Sequence, residues 1–320
     1  MCPILSIIIP AYNAANFIKQ SLDSIFKQST SENDFEVIII NDGSTDDTIN
    51  VVSEYSKNHQ NIHLYTQSNN GVSIARNTAI EVSHGKYIIF LDADDELYEY
   101  SLQQALEICK HNFDICICRS FYSSGKEVYT WDNLFVENIT YSGIQLAQKS
   151  YIRGSACGAI FNKSFLLTNN IIFPKNVYNY EDTIFFIVSC VFAKTIIFKN
   201  LALYCIWGNP NSASRSYSIE RISRSFNALD YISSYIRDNR LRLSDLQNQV
   251  LLFLKYNIIS NIIYDSILTS GFRAWKLIYK KIKEYLPISS TSICVSKYKL
   301  FLLNNSFPLY YLLFYFRTKK

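Results

Sequence analysis

The 320-residue chain carries little charge and a single methionine, and its apolar runs are short or interrupted. Charged residues make up 18% and hydrophobic ones 48%, which excludes disorder and leaves material for a sizeable core. No segment offers ~20 uninterrupted apolar residues, so a spanning helix is not expected. The opening Met1-Cys2-Pro3-Ile4-Leu5 lacks a basic stretch, and the apolar run behind it is too short for a signal peptide. A buried first strand is expected there instead. The eight cysteines lack metal-ligand spacing; Cys116 and Cys118 share one face of a strand-like run and the rest are scattered. Reduced, buried thiols and a cytoplasmic location are the expectation. There is no internal repeat and no low-complexity linker.

What is present is unevenly placed. Residues 1–215 carry 15 Lys+Arg against 21 Asp+Glu, whereas residues 216–320 carry 16 against 6. An acidic front and a basic rear imply two parts, with an expected boundary after residue 215. In the front part, short runs rich in Ile, Val and aromatics (4–9, 35–40, 62–65, 87–91) alternate with stretches of helical spacing (15–26, 45–55, 72–82). Strand–helix alternation predicts an α/β domain with a mostly parallel sheet flanked by helices. Ile7-Ile8-Ile9 and Val37-Ile38-Ile39-Ile40 are continuously apolar, as strands buried on both faces should be. Further strands are expected at 113–119 and 158–162, and a helix at 181–193. From about 216 onward long helical runs follow, at 219–236, 241–268 and 272–285.

In such sheets ligands bind beyond the carboxyl ends of the strands. Polar residues gather there: Pro10-Ala11-Tyr12-Asn13, Asn41-Asp42-Gly43-Ser44, Gln67-Ser68-Asn69-Asn70-Gly71, and Asp92-Ala93-Asp94-Asp95-Glu96. The last places four carboxylates in five residues, a set that hard divalent ions such as Mn²⁺ or Mg²⁺ suit; the competing reading is a solvated acidic turn. Ser44 and Asp47 read as a capping box, with Gly43 permitting the turn. That leaves Asp42 without a local explanation. Tyr12 offers a ring for a nucleobase, against simple packing. Arg76 suits phosphate or base-carbonyl contacts, against an ordinary surface arginine. Glu181-Asp182 precedes an apolar helix and supplies either a general base or an N-terminal cap.

Taken together in this order, these segments resemble the family 2 glycosyltransferases, inverting enzymes with a GT-A fold, of the kind found in bacterial surface-polysaccharide assembly. The matching residues are Ser6 through Asn13, Asn41 through Asp46, Asn70-Gly71 with Ala75-Arg76-Asn77, Gly85-Lys86-Tyr87 with Asp92-Ala93-Asp94-Asp95, and Glu181-Asp182. A stretch from Tyr204 to Ser212 is similar to the segment that closes the catalytic domain. The resemblance implies that Pro10, Ala11, Tyr12, Asn13 and Asp42 hold the base of a nucleotide-sugar, a UDP-sugar foremost, with Arg76 in support. It implies Asp92 at the ribose, a divalent metal on Asp94, and Asp182 as catalytic base. Glu181, Asp95 and Trp207 would support the site or the acceptor. Two departures stand out. The family commonly has Asp where this chain has Asn41, and a Trp often lies near residues 155–158, here Ser155-Ala156-Cys157-Gly158.

The basic rear combines Lys276, Lys280, Lys281 and Lys283 with Trp275, Ile278 and Tyr279, and ends in an aromatic run after Pro308. Such a helix suits the face of an anionic bilayer, where a lipid-linked glycan acceptor would be presented; the alternative is a helical bundle with a basic surface. Nucleic acid is not expected, because the aromatics lie in apolar helical runs rather than on a strand platform. The Ile-, Asn-, Ser- and Tyr-rich composition points to O-antigen or capsule assembly. Two readings compete with the enzyme: a catalytically inactive membrane-associated scaffold, and a nucleotidyltransferase, which would want a Gly-rich basic loop that residues 10–16 lack.

Overall fold

A computed structural model describes residues 2–28, 30–151, 153–207, 218–270, 275–288 and 297–318. The expected boundary at 215, Ser212 and the terminal Lys319 and Lys320 fall outside these, as do the side chains of Trp275 and Lys276. The first half alternates strand and helix: β1 (Leu5–Ala11), α1 (Ile18–Phe26), β2 (Phe35–Asn41), α2 (Thr48–Ser56), β3 (Ile62–Thr66), α3 (Val72–Val82) and β4 (Tyr87–Phe90). Next come β5 (Glu96–Leu97), α4 (Ser101–Ile108), β6 (Ile115–Tyr122), β7 (Glu127–Val128), β8 (Thr140–Tyr141), α5 (Gly143–Gln148), β9 (Ala159–Asn162) and α6 (Lys163–Thr168). The remainder is α7 (Glu181–Phe192), β10 (Ile196–Ile206), α8 (Ile219–Asp238), α9 (Asp245–Ser270), α10 (Trp275–Lys283), α11 (Lys297–Asn305) and α12 (Phe307–Thr318).

The chain groups into two compact units. One (1–142, 155–175, 193–210) holds all ten strands with α1–α4 and α6; the other (143–154, 176–192, 211–320) holds α5 and α7–α12. Segments 143–154 and 176–192, which precede residue 215 in sequence, thus belong with the C-terminal helices.

In the first unit the sheet order is β3-β2-β1-β4-β9-β6-β10-β5, with β7 on β6 and β8 on β10. Strands β3, β2, β1 and β4 run parallel, as do β6 and β10, while β9 lies antiparallel between β4 and β6. Every residue of β2 and β4 is buried, and all of β1 except Pro10. The apolar runs within them, residues 7–9, 37–40 and 87–90, follow from burial on both faces. The register brings the strand ends level: Ala11 pairs with Asn41, and Asn41 with Thr66. The β1–β4 ladder stops at Ile8 and Phe90, two residues before Pro10, which has no N–H to give.

Gly85, at the other end of β4, shows why that motif resists change. A Cβ there would lie 2.5 Å from Ser6 Oγ and 2.6 Å from the Ser6 backbone nitrogen. The buried Glu36 carboxylate organises this corner, accepting from Ser6 Oγ at 2.5 Å and Gly85 N–H at 3.0 Å. Gly85→Ala is expected to destabilise the protein by about 3 kcal/mol or more, read as a lowered urea midpoint at unchanged slope.

In the second unit α9 is the hub, touching α5, α7, α8, α10 and α12. Asp245–Thr269 is apolar and long enough to cross a membrane, but 72% of its apolar window is buried within the fold. The helices proposed for an interface are packed on one side: Ile278 and Ile282 of α10 are buried, as are Phe307, Tyr310 and Tyr311 of α12. Tyr310 donates its O–H to Tyr256 Oη at 2.6 Å, and Tyr285 its O–H to Asp230 Oδ1 at 2.6 Å. These helices pack against one another, and the residues they leave exposed include Lys280, Lys281, Lys283, Glu284, Phe301 and Leu309.

Candidate active site

Four parallel strands deliver four loops to one rim, and side chains lace the loops together. Beyond β1, Asn13 takes a left-handed backbone (φ 50°), which asparagine tolerates. Its amide N–H donates to Ser44 Oγ at 2.9 Å, and its side-chain oxygen accepts from Thr45 N–H at 2.8 Å. Asp46 accepts from Ala15 N–H at 3.0 Å and Thr48 N–H at 3.1 Å. The capping box read into Ser44 and Asp47 is not formed: Asp47 is the N-cap of α2 but makes no side-chain cap bond, and Ser44 serves the β1 loop. The long-range partner wins because it satisfies an otherwise orphaned N–H of the neighbouring loop. Gly43 does sit in the left-handed region (φ 75°), where any Cβ would also meet Asn69 N at 2.8 Å.

Asp42 is buried and supports the third loop. Its Oδ1 accepts from Gln67 Nε2 at 2.8 Å and Asn70 N–H at 2.9 Å, and its Oδ2 from Gly71 N–H at 2.8 Å. A carboxylate offers about four acceptor positions, so by count one on Oδ2 remains for a ligand. Asn41 is wholly buried, accepting from Ser44 N–H at 3.1 Å and donating to Thr66 Oγ1 at 3.5 Å. An amide gives both a donor and an acceptor without burying charge, which accounts for Asn at this place. Tyr12 between these loops is 51% exposed, so its ring is presented rather than packed.

Arg76 is no surface arginine. It is 2% exposed, ion-pairs with Asp92 Oδ1 at 2.6 Å, and lies 5.0 Å from the centre of the Phe173 ring. Asn77 fixes Phe173 by a two-way bond, accepting its N–H at 2.8 Å and donating to its carbonyl at 2.9 Å. Nothing in the local pattern reveals Phe173, which reaches the site across 96 residues.

The acidic turn divides its labour. Asp95 accepts from Tyr204 O–H at 2.6 Å and Trp207 N–H at 2.8 Å, tying the turn to the end of β10. Burial first, and then the Asp92 charge, raise the Asp95 carboxyl from 3.8 to about 7. Folding therefore takes up a proton at Asp95 between those values, and this group alone makes stability fall as pH rises through that window. Asp94 is half-buried, and the Trp207 ring is 44% exposed. Glu181 and Asp182 form the first turn of α7, half-buried in the second unit, and so do not share a unit with the residues above.

The sequence profile of glycosyl transferase family 2 matches residues 6–167, half of the chain. The chain belongs to this family. It is 29% identical over 252 residues to the glycosyltransferase YibD of Escherichia coli K12, covering 74% of this chain and 69% of that protein. Over 183 residues it is 29% identical to the poly(ribitol-phosphate) beta-N-acetylglucosaminyltransferase TarS of Staphylococcus aureus, covering 56% of this chain and 31% of TarS. The crystal structure of S. aureus TarS 1–349 with UDP-GlcNAc superposes with a TM-score of 0.64 at 21% identity, covering 88% of this chain and 78% of that one. The mannosyltransferase PcManGT of Pyrobaculum calidifontis, solved with GDP-Man and Mn²⁺, gives 0.58 at 18% identity over 100% of this chain and 89% of that one. The fold is thus the GT-A type, and the chain is a family 2 glycosyltransferase of the bacterial polysaccharide kind.

Proposed function

We propose that this glycosyltransferase moves a sugar with inversion from a nucleotide-sugar, a UDP-sugar foremost, to a hydroxyl of a lipid-linked glycan in O-antigen or capsule assembly. The observation that carries the donor half is the gathering of Tyr12, Asp42, the Arg76–Asp92 pair and Asp94 at the ends of β1, β2 and β4, with the loop after β3 held by Asp42. Tyr12 would stack on the base and Asp42 would accept its imide N–H, beside Pro10 and Ala11. Asp92, oriented by Arg76, would meet the ribose. That structural neighbours were solved with UDP-GlcNAc or GDP-Man supports a nucleotide-sugar.

Among the described residues, no group of three or more His, Cys, Asp or Glu is arranged to hold a metal ion. An all-protein cage is not required of Mn²⁺ or Mg²⁺, which take one or two carboxylates and complete their shell with water and substrate phosphates. Asp94, half-buried on the same turn as Asp92 and Asp95, is the carboxylate that the family resemblance assigns to that role. Such a cation supplies neutralising charge to a departing nucleoside diphosphate. Asp182 would take the proton of the attacking hydroxyl. A peripheral place at the inner face of the membrane rests on the basic rear, where Lys280, Lys281, Lys283, Phe301 and Leu309 face outward.

The test is nucleoside diphosphate release from a panel of UDP-glucose, UDP-galactose, UDP-GlcNAc and GDP-mannose in the presence of a lipid-linked glycan acceptor, with Mn²⁺ or with chelator. Release from a UDP-sugar that chelation removes and Mn²⁺ restores is expected. Pyrophosphate release from a nucleoside triphosphate and a sugar 1-phosphate would favour a nucleotidyltransferase, and no release in either assay an inactive scaffold.

A further inference from the structure

The candidate base stands in a segment that the C-terminal helices hold. Tyr180, immediately before Glu181 and Asp182, has φ 70°, a left-handed backbone that costs a bulky residue of order 1–3 kcal/mol and persists only where its surroundings impose it. The surroundings are α8 and α9. Asn179 donates its side-chain N–H to the Arg221 carbonyl at 3.0 Å and to Ser225 Oγ at 3.2 Å, both on α8. The half-buried Tyr180 phenol faces Asp265 and Asn261 of α9 and Arg221 of α8, and Arg221 Nε lies 3.6 Å from Asp265 Oδ2. Asn227 of α8 donates to the Asn176 carbonyl at 3.2 Å, and Arg224 lies 5.7 Å from the centre of the Tyr178 ring. On the far side, Thr183 donates its hydroxyl to the Gly154 carbonyl at 3.3 Å. The first turn of α7 thus starts from a strained residue clamped by helices more than forty positions away in sequence.

We infer that Asn179 and Tyr180, held by Arg221, Ser225, Asn261 and Asp265, are positioning residues that set the orientation of Asp182 in the first turn of α7. The inference rests on Asp182 as base. A 1 Å misplacement of a reacting group costs up to ~10²-fold in rate, so small losses of anchoring should be visible in kcat.

The experiment compares Asn179→Ala, Ser225→Ala and Tyr180→Phe in the full chain, using whichever panel donor is turned over fastest. Ser225→Ala removes one acceptor from the opposite side and should fold even where Asn179→Ala does not. Each folded variant is expected to lose ~10- to 100-fold in kcat, least for Ser225→Ala, with donor KM and calorimetric donor affinity unchanged within about twofold. Unchanged kcat in a folded variant would overturn the inference, and so would a parallel loss of donor affinity, which marks general loosening. Asp182→Asn run alongside separates the two claims. If it keeps full activity while the anchoring variants fail, the base assignment is wrong; if it is dead while they are unaffected, only the positioning role is wrong.

Discussion

Asp182→Asn is expected to lower sugar transfer by ~10²–10⁴-fold while donor affinity stays within about twofold of the parent. An amide keeps the size of the side chain and part of its hydrogen bonding but cannot accept the acceptor's proton. The competing explanation for Asp182 is electrostatic. It lies in the first turn of α7, where a carboxylate favours the helix end by about 0.3–1 kcal/mol. The two roles separate cleanly in the variant. A base lost shows in kcat with little change in Tm; a cap lost shows as a few degrees in Tm with full activity retained, which would remove Asp182 from the mechanism.

Asp94→Asn is expected to be nearly as damaging, by ~10²–10³-fold, because charge developing on a nucleoside diphosphate is the largest electrostatic demand of the reaction. Its signature differs. Mn²⁺-dependent donor binding should weaken together with the rate, and raised Mn²⁺ should recover part of both. Asp95→Asn provides the contrast within the same turn. Asp95 is buried and disfavours its charged form, with its carboxyl raised to about 7 by burial and by Asp92. Above that value the ionised group penalises folding, so the uncharged amide is expected to leave stability at pH 8 equal or higher, with donor binding retained. Equal loss of metal-dependent binding in the Asp94 and Asp95 variants would contradict the division of labour between them.

Most of the parallel half of the fold was legible because its determinants are local. The strands at Leu5–Ala11, Phe35–Asn41, Ile62–Thr66 and Tyr87–Phe90 lie where short runs rich in Ile, Val and aromatics put them, and α3 spans Val72–Val82 as its spacing predicts. Helices α1 and α2 begin three residues later than their periodicity suggests. The reason is long-range: Ala14 and Ala15 N–H groups bond to Thr48 Oγ1 and Asp46 Oδ2 across 34 and 31 residues, so the first turns are drawn into loops. The strand expected at 158–162 forms as β9, but its antiparallel place between β4 and β6 has no local signal, and neither do the two-residue strands β5, β7 and β8.

The site was legible as a list but not as a network. Residue types after each strand identify Tyr12, Asp42, Arg76 and the Asp92–Asp95 turn. They do not reveal that Asp42 carries the loop at Gly71, that Arg76 is buried on Phe173, or that Tyr204 locks Asp95. Nor does sequence alone group residues 176–192 with the C-terminal helices, since the strained backbone at Tyr180 is a property of what surrounds it.

The most direct test of the donor site is a crystal structure with UDP and Mn²⁺, the metal placed by its anomalous signal. The uracil is expected against Tyr12 and Asp42, the ribose at Asp92, and Mn²⁺ between Asp94 and the diphosphate. UDP bound away from the ends of β1, β2 and β4, or Mn²⁺ on carboxylates other than this turn, would contradict it.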